Sequence, residues 1–165
     1  MTTAVSGTVE HWAAVKPDAI AIVEGDRTLT YRAWNDASDR IAAGLHARGV
    51  GRGDIVVLRT QIRLEWAVLA AAPGKLGCSL LALNWRLTPA ETQYVLGNSG
   101  ATVLVCDDAD PSALAPAFAG LPIKLAVSID TPAPGFVSYD VLAQEPDAAR
   151  FSAGTPPLII YTSGT

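Results

Sequence analysis

The sequence predicts an α/β fold, a mostly parallel sheet with helices on both faces. Three observations predict it. Short apolar runs recur along the chain, each bounded by glycine, proline or charge, as the buried strands of a parallel sheet require. Helical patterns of about ten to fifteen residues separate most of them, long enough for crossover connections. Apolar residues make up 50% of the 165 and charged residues 17%, which excludes a disordered chain.

At roughly 100–200 residues per domain, the chain is one domain or part of one. A small domain exposes proportionally more surface than a large one and should therefore be more polar than average. This chain is less polar: its mean hydropathy is +0.28, and its charged share falls below the roughly 25% of typical globular proteins. The expectation is a piece of a larger unit.

The elements follow in order. A short helix is expected over residues 8–15, then a β-hairpin whose strands cover residues 19–23 and 28–30 around the turn at 24–27. Thr30 can cap a helix in which Trp34, Ala37, Ile41, Ala42 and Leu45 share one face, with Gly49 as its left-handed stop. Residues 54–58 read as a buried strand. A helix over residues 64–72 should end or kink at Pro73 and Gly74, because proline lacks the amide and clashes with the preceding turn.

Residues 78–83 form the next apolar strand. Thr88-Pro89-Ala90-Glu91 combines a threonine cap, proline at the first helical position and glutamate three residues after the cap, a capping box that opens a helix to about Asn98. Strands are expected at residues 101–106 and 123–128, with a helix at 111–119 between them. Prolines, glycines and charges make residues 130–157 a looser passage with a short helix at 139–143. A buried strand at 157–161 then runs into Thr162-Ser163-Gly164-Thr165.

Composition narrows the partners. The net charge is −4, and Lys16, Lys75 and Lys124 are the only lysines, so there is no basic footprint for nucleic acid or an anionic membrane. No apolar stretch approaches the roughly 20 residues needed to cross a bilayer. The first residues lack the basic stretch and apolar run of a secretory signal, so a cytoplasmic location is expected. In that compartment Cys78 and Cys106 are expected to be buried free thiols rather than a disulfide.

In open α/β sheets, ligands bind at the carboxyl ends of strands. Residues 162–165 occupy such a place. The hydroxyls of Thr162, Ser163 and Thr165 can donate to phosphate oxygens, and Gly164 lets backbone amides turn toward an anion. A polar tail of this composition equally describes a solvated chain end, and the tetrapeptide alone does not decide between the two.

Residues 158–165, Leu-Ile-Ile-Tyr-Thr-Ser-Gly-Thr, resemble the opening of the phosphate-loop signature of the adenylate-forming enzymes. That superfamily holds the acyl- and aryl-CoA synthetases, luciferases and nonribosomal adenylation domains, and its signature continues Thr-Gly-x-Pro-Lys-Gly, which this sequence does not contain. Residues 29–34, Leu-Thr-Tyr-Arg-Ala-Trp, resemble the family's Leu-Thr-Tyr-x-Glu-Leu segment. Residues 74–91 resemble its Lys-Ala-Gly-Ala-x-x-x-Pro-Leu-Asn-x-Arg-Leu segment. The three segments fall in the family's order and spacing. Departures at Ala33-Trp34, Pro73 and Ala82 touch packing more than chemistry, and Asn84-Trp85-Arg86-Leu87 favours the CoA synthetase branch.

The resemblance implies that residues 1–165 are the N-terminal part of an AMP-binding domain, without the rest of the large domain or the mobile C-terminal domain. It implies an enzyme that uses ATP and Mg2+ to turn a carboxylic acid into an acyl-adenylate, then transfers the acyl group to coenzyme A. Thr162, Ser163, Gly164 and Thr165 would meet the ATP phosphates. No catalytic or metal-ligating residue is assigned within the chain, and the 165 residues alone are expected to be inactive. The rival is a non-catalytic scaffold of the same fold completed by a partner chain. An isolated flavodoxin-like domain is disfavoured, because no helix follows the loop to lend its N-terminus to a phosphate. Sheet surface left open predicts self-association.

Other residues read as structural. His11 and His46 lack ligand partners at metal spacing. Asp107, Asp108 and Asp110 read as an acidic turn rather than a cation site, and Trp12, Trp34, Trp66 and Trp85 as core or interface. Arg59, Arg63 and Arg86 could contact anions, with structural ion pairs as the default.

Overall fold

The computed structural model describes residues 7–144, 151 and 154–161. In chain order these form α1 (Val9–Val15), a hairpin of β1 (Ile20–Glu24) and β2 (Arg27–Thr30), α2 (Tyr31–His46), β3 (Ile55–Arg59), α3 (Leu64–Leu76) and β4 (Ser79–Ala82). Then come α4 (Pro89–Ser99), β5 (Val103–Cys106), a 3-10 turn (Pro111–Leu114) running into α5 (Ala115–Phe118), β6 (Leu125–Ser128), β7 (Val137–Ser138), α6 (Tyr139–Ala143) and β8 (Leu158–Ile159). The hairpin is antiparallel. The main sheet has strand order β7-β6-β5-β3-β4-β8, and every pairing in it is parallel.

The handedness of crossovers explains which helix covers which face. A right-handed connection that steps one way along the sheet lies on one face, and a step the other way lies on the opposite face. From β3 to β4 the chain steps toward β8, and α3 lies on the face it shares with α2 and α6. From β4 to β5 and from β5 to β6 it steps back, and α4 and α5 cover the other face. The side chains obey the same division. Val56, Leu58, Leu80, Val103, Val105 and Val127 point to the layer that holds Ile41, Leu45, Leu69 and Leu142. Val57, Leu81 and Leu104 point to the layer that holds Val95 and Leu96. Period-two alternation within uniformly apolar strands is what a sheet covered on both faces demands.

The caps form as their sequences require. Thr88 Oγ1 accepts from the Glu91 amide at 3.3 Å and the Glu91 carboxylate accepts from the Thr88 amide at 2.8 Å, closing the capping box. Thr30 caps α2 through the Ala33 amide. One expectation is corrected. The third helix does not stop at Pro73 but runs through it to Leu76, where Gly77 takes the left-handed conformation. Lys75 explains the persistence: its ammonium is fully buried and bonded to Glu10 at 2.5 Å, Asp39 at 2.9 Å and Asn35 at 2.9 Å, so the last turn is tied to α1 and α2. Those bonds outweigh the one backbone bond that proline forfeits. Residues 137–138, inside the looser passage, add a short strand to the β6 edge. The expected helix at 111–119 begins as a 3-10 turn.

Candidate functional site

The carboxyl edge of the parallel sheet gathers the loops that leave β3, β4, β5, β6 and β8. The pairing of β4 with β8 puts the chain leaving Ile159 beside the chain leaving Ala82. Residues 162–165, the expected phosphate contacts, lie outside the described residues. Tyr161, immediately before them, donates its phenolic O–H to Asn98 Oδ1 on α4. In the neighbouring loop the Arg86 guanidinium stacks over Trp85, 4.2 Å from the ring centroid.

At the centre of the edge, the loops leaving β3 and β5 diverge to opposite faces, the geometry that opens a ligand crevice in doubly wound sheets. Here protein side chains fill it. Arg59, almost wholly buried, donates to Asp108 at 2.5 Å and to the Leu87 carbonyl at 2.8 Å, joining three loops. Asp107 accepts from the Gln61 amide and Asp110 from the Ser112 amide. The acidic cluster is thus consumed by internal bonds, and no group of metal-ligating side chains occurs among the described residues. Arg63 forks onto Asp130 and also bonds Glu65. Burial acts to raise the Glu65 carboxyl, but bonds from Arg27 and Arg63 outweigh it and hold the group below the usual carboxylate range. Asp54, at the opposite edge, behaves alike: burial raises it, and Lys124 with the Gly51 amide brings it down.

A cavity of about 500 Å3 lies between the hairpin and α3, lined by Val9, Ile22, Trp34, Ile62, Trp66 and Ala70 among others. Its charged rim is internally neutralised, Glu10 by Lys75, Glu24 by Arg27, and Arg63 by Asp130. It therefore offers apolar contact and no place for a triphosphate.

Remaining sequence candidates resolve as structure. Cys78 and Cys106 are buried free thiols whose pKa values burial pushes up to about 11 and about 12. Trp34 donates to the Ala67 carbonyl, and His11 packs edge-on against Trp12. The structural ion pair expected of Arg59 forms with Asp108, whereas the burial of Lys75 and the contact between Tyr161 and Asn98 have no counterpart in the sequence reading. An arginine closing an otherwise apolar strand marks Arg59 as a buried anchor, and a lysine in an apolar helix marks Lys75 in the same way. The Tyr161–Asn98 contact spans 63 positions and has no local signal.

The family profile for AMP-binding enzymes matches residues 9–165. An indoleacetate–CoA ligase of Aromatoleum aromaticum is 29% identical, covering 95% of this chain and 32% of its own length. A fatty acid–[acyl-carrier-protein] ligase, ScoC, of Streptomyces coeruleorubidus is 29% identical, covering 96% of this chain and 30% of its own length. The solved structure of Mycobacterium smegmatis MbtA superposes with a TM-score of 0.85 at 23% identity, over 95% of this chain and 31% of that one, which establishes likeness of fold. The chain spans about a third of the length of these relatives. No helix among the described residues is long and apolar enough to cross a membrane.

Proposed function

The chain belongs to the AMP-binding enzyme family, and from that premise we propose that it is the N-terminal part of the adenylation domain of an acid–thiol ligase. The substrate is a carboxylic acid, aliphatic or aromatic, and the acceptor is coenzyme A. A relative that names an acyl carrier protein keeps a protein-borne thiol as the second acceptor to test.

One observation carries the reading. Strand β8, parallel to β4, ends at the carboxyl edge of the sheet, where this architecture binds ligands, and Thr162, Ser163, Gly164 and Thr165 follow it in the sequence after Ile160 and Tyr161. The donor set fits phosphate in kind: three hydroxyls, and a glycine that frees backbone amides to face an anion. ATP supplies an electrophilic α-phosphorus and a pyrophosphate leaving group. In this reading the four residues bind the β- and γ-phosphates and meet the negative charge that gathers there as pyrophosphate departs. Mg2+ belongs to the reaction, and its ligands are assigned to no residue of this chain. The 165 residues by themselves turn nothing over, because the chain is about a third of such a ligase.

The test is ATP–pyrophosphate exchange with a panel of aliphatic and aromatic acids, run on the complete gene product and on residues 1–165. Exchange in the gene product with none in the 165 residues supports the proposal. Inactivity of both, together with specific binding of a second polypeptide, replaces it with the scaffold reading.

A further inference from the structure

The β1–β2 hairpin is tied down at its base and spans a cavity along its length. At the base the backbone joins it to the α1–α2 junction, with the Tyr31 N–H donating to the Ala19 carbonyl at 3.1 Å and the Arg32 N–H to the Pro17 carbonyl at 3.0 Å. Between β1 and α3 lies the cavity of about 500 Å3 described above. Ile20 and Val23, two of the five residues of β1, are exposed. The apolar packing that ordinarily seats a hairpin on its neighbour is therefore thin along this strand, and a two-stranded sheet on its own is marginal in water.

The tip of the hairpin is fastened by charge. Glu24 and Arg27, which flank its turn, both reach the first turn of α3. Arg63, at the cap position of that helix, makes no side-chain cap bond, and the Leu64 amide donates instead to Glu24 Oε2 at 3.3 Å. Arg27 donates to one oxygen of Glu65 while Arg63 donates to the other at 2.7 Å. Arg63 also forks onto Asp130 at 2.5 and 3.2 Å. Asp130 is the one non-glycine residue among the described residues with a positive φ, 67°, so the fork holds a backbone conformation that costs free energy. Signs alternate along Glu24–Arg27–Glu65–Arg63–Asp130, from the hairpin turn through α3 to the loop after β6. Glu65 is the centre: its side chain is only 14% exposed, and without its carboxylate Arg27 and Arg63 face each other as like charges. Exposed pairs contribute little singly, whereas a network that converges on a mostly buried carboxylate contributes more.

We propose that this chain of charges is an ionic clasp, with Glu65 as its centre, that fixes the hairpin tip to the carboxyl edge of the parallel sheet and releases it as a local unit when the charges are removed or screened. The central strands β3 to β6 keep their own buried core, so release stops at the hairpin. The inference stands apart from the phosphate-loop reading and from the identity of the acid.

The test is amide hydrogen exchange read by mass spectrometry on the complete gene product, comparing peptides that span residues 20–30 with peptides from β3 to β6. Glu65→Gln, which removes the central charge, should speed exchange of the hairpin about tenfold, and Arg27→Met about threefold. The double variant should be no faster than Glu65→Gln alone, because both break the same link. Raising NaCl from about 0.1 M to about 1 M shortens the screening length from about 10 Å to about 3 Å, and should speed exchange of the unaltered hairpin about twofold while leaving Glu65→Gln unchanged. Arg32→Met breaks the exposed pair with Asp18 at the hairpin base and should leave the exchange as it was. If Glu65→Gln does not fold, Arg27→Met and the salt series make the same comparison. Hairpin exchange that ignores both Arg27→Met and salt, acceleration that is equal in β3 to β6, or Arg32→Met as fast as Arg27→Met overturns the clasp.

Discussion

Replacing Lys75 by methionine isolates the polar node that holds α1, α2 and α3 together. The ammonium has no exposed surface and touches Glu10 at 2.5 Å, Asp39 at 2.9 Å and Asn35 at 2.9 Å. Methionine keeps most of the aliphatic stem, so the change removes the charge and little packing. Breaking a buried ion pair by removing one partner costs about 3–5 kcal/mol, because the partner left behind is a charge without compensation. Two features bring the figure to the lower end. Asp39 retains the Asn35 amide at 3.2 Å, and Glu10 sits on a seven-residue helix from which it can turn to water. We expect Lys75→Met to lose about 3 kcal/mol in urea unfolding followed by circular dichroism, or about 6–12 °C in melting temperature. Adding Glu10→Gln and Asp39→Asn should recover most of that loss, since the stranded charges are then gone. A loss below about 1 kcal/mol, or a triple variant no better than the single one, would refute the claim that stranded carboxylates are the cause.

Two further outcomes follow from the packing and the buried acids. Ala in place of Gly74 ordinarily adds about 1 kcal/mol to a helix; here its methyl would collide with the Gly154 carbonyl oxygen and lie 2.7 Å from Pro156 Cδ. Neither atom can escape by a change of rotamer. Gly74→Ala should therefore destabilise the protein by about 1–3 kcal/mol and speed amide exchange at Leu80, whose N–H donates to the Pro157 carbonyl at 2.9 Å; a gain in stability would contradict the close approach. Burial raises the folded pKa of Cys78 to about 11 and of Cys106 to about 12, from an ordinary 9.0. The stability these thiols contribute is complete below the unfolded value and is lost as pH climbs from there through the folded values. Asp54 and Glu65, held low, contribute stability that is present above the usual carboxylate range and lost as pH falls through their folded values. Denaturant titrations across pH should show both losses, and alkylation at pH 8 should label neither cysteine until the chain unfolds; rapid labelling of the native protein contradicts the burial.

Local signals were the legible part of the fold. The Thr88–Glu91 box, the Thr30 cap and the short apolar runs each work within a few residues of chain, so they survive in a one-dimensional reading. The continuation of α3 beyond Pro73 has no local signal, because the bonds that tie its last turn come from Glu10 and Asp39, on other helices. The strand at Val137–Ser138 was missed because two residues carry no periodicity, and only the neighbouring edge of β6 makes them a strand. Residues 162–165 show in the sequence three hydroxyls and a glycine, a composition that suits phosphate, while Arg59, Asp108 and Leu87 meet only once three separate loops reach the same edge.

The sequence by itself determined the alternation of strand and helix, the caps, and the chemical character of the tetrapeptide, since these depend on side-chain type and on neighbours a turn or two away. Strand order, the filling of the central crevice by Arg59 and Asp108, the burial of Lys75 and the attachment of Tyr161 to Asn98 were decided only by the tertiary structure. Each of those joins groups tens of positions apart. Their free energy exists only after the chain has closed the loops between them, and no local pattern records it.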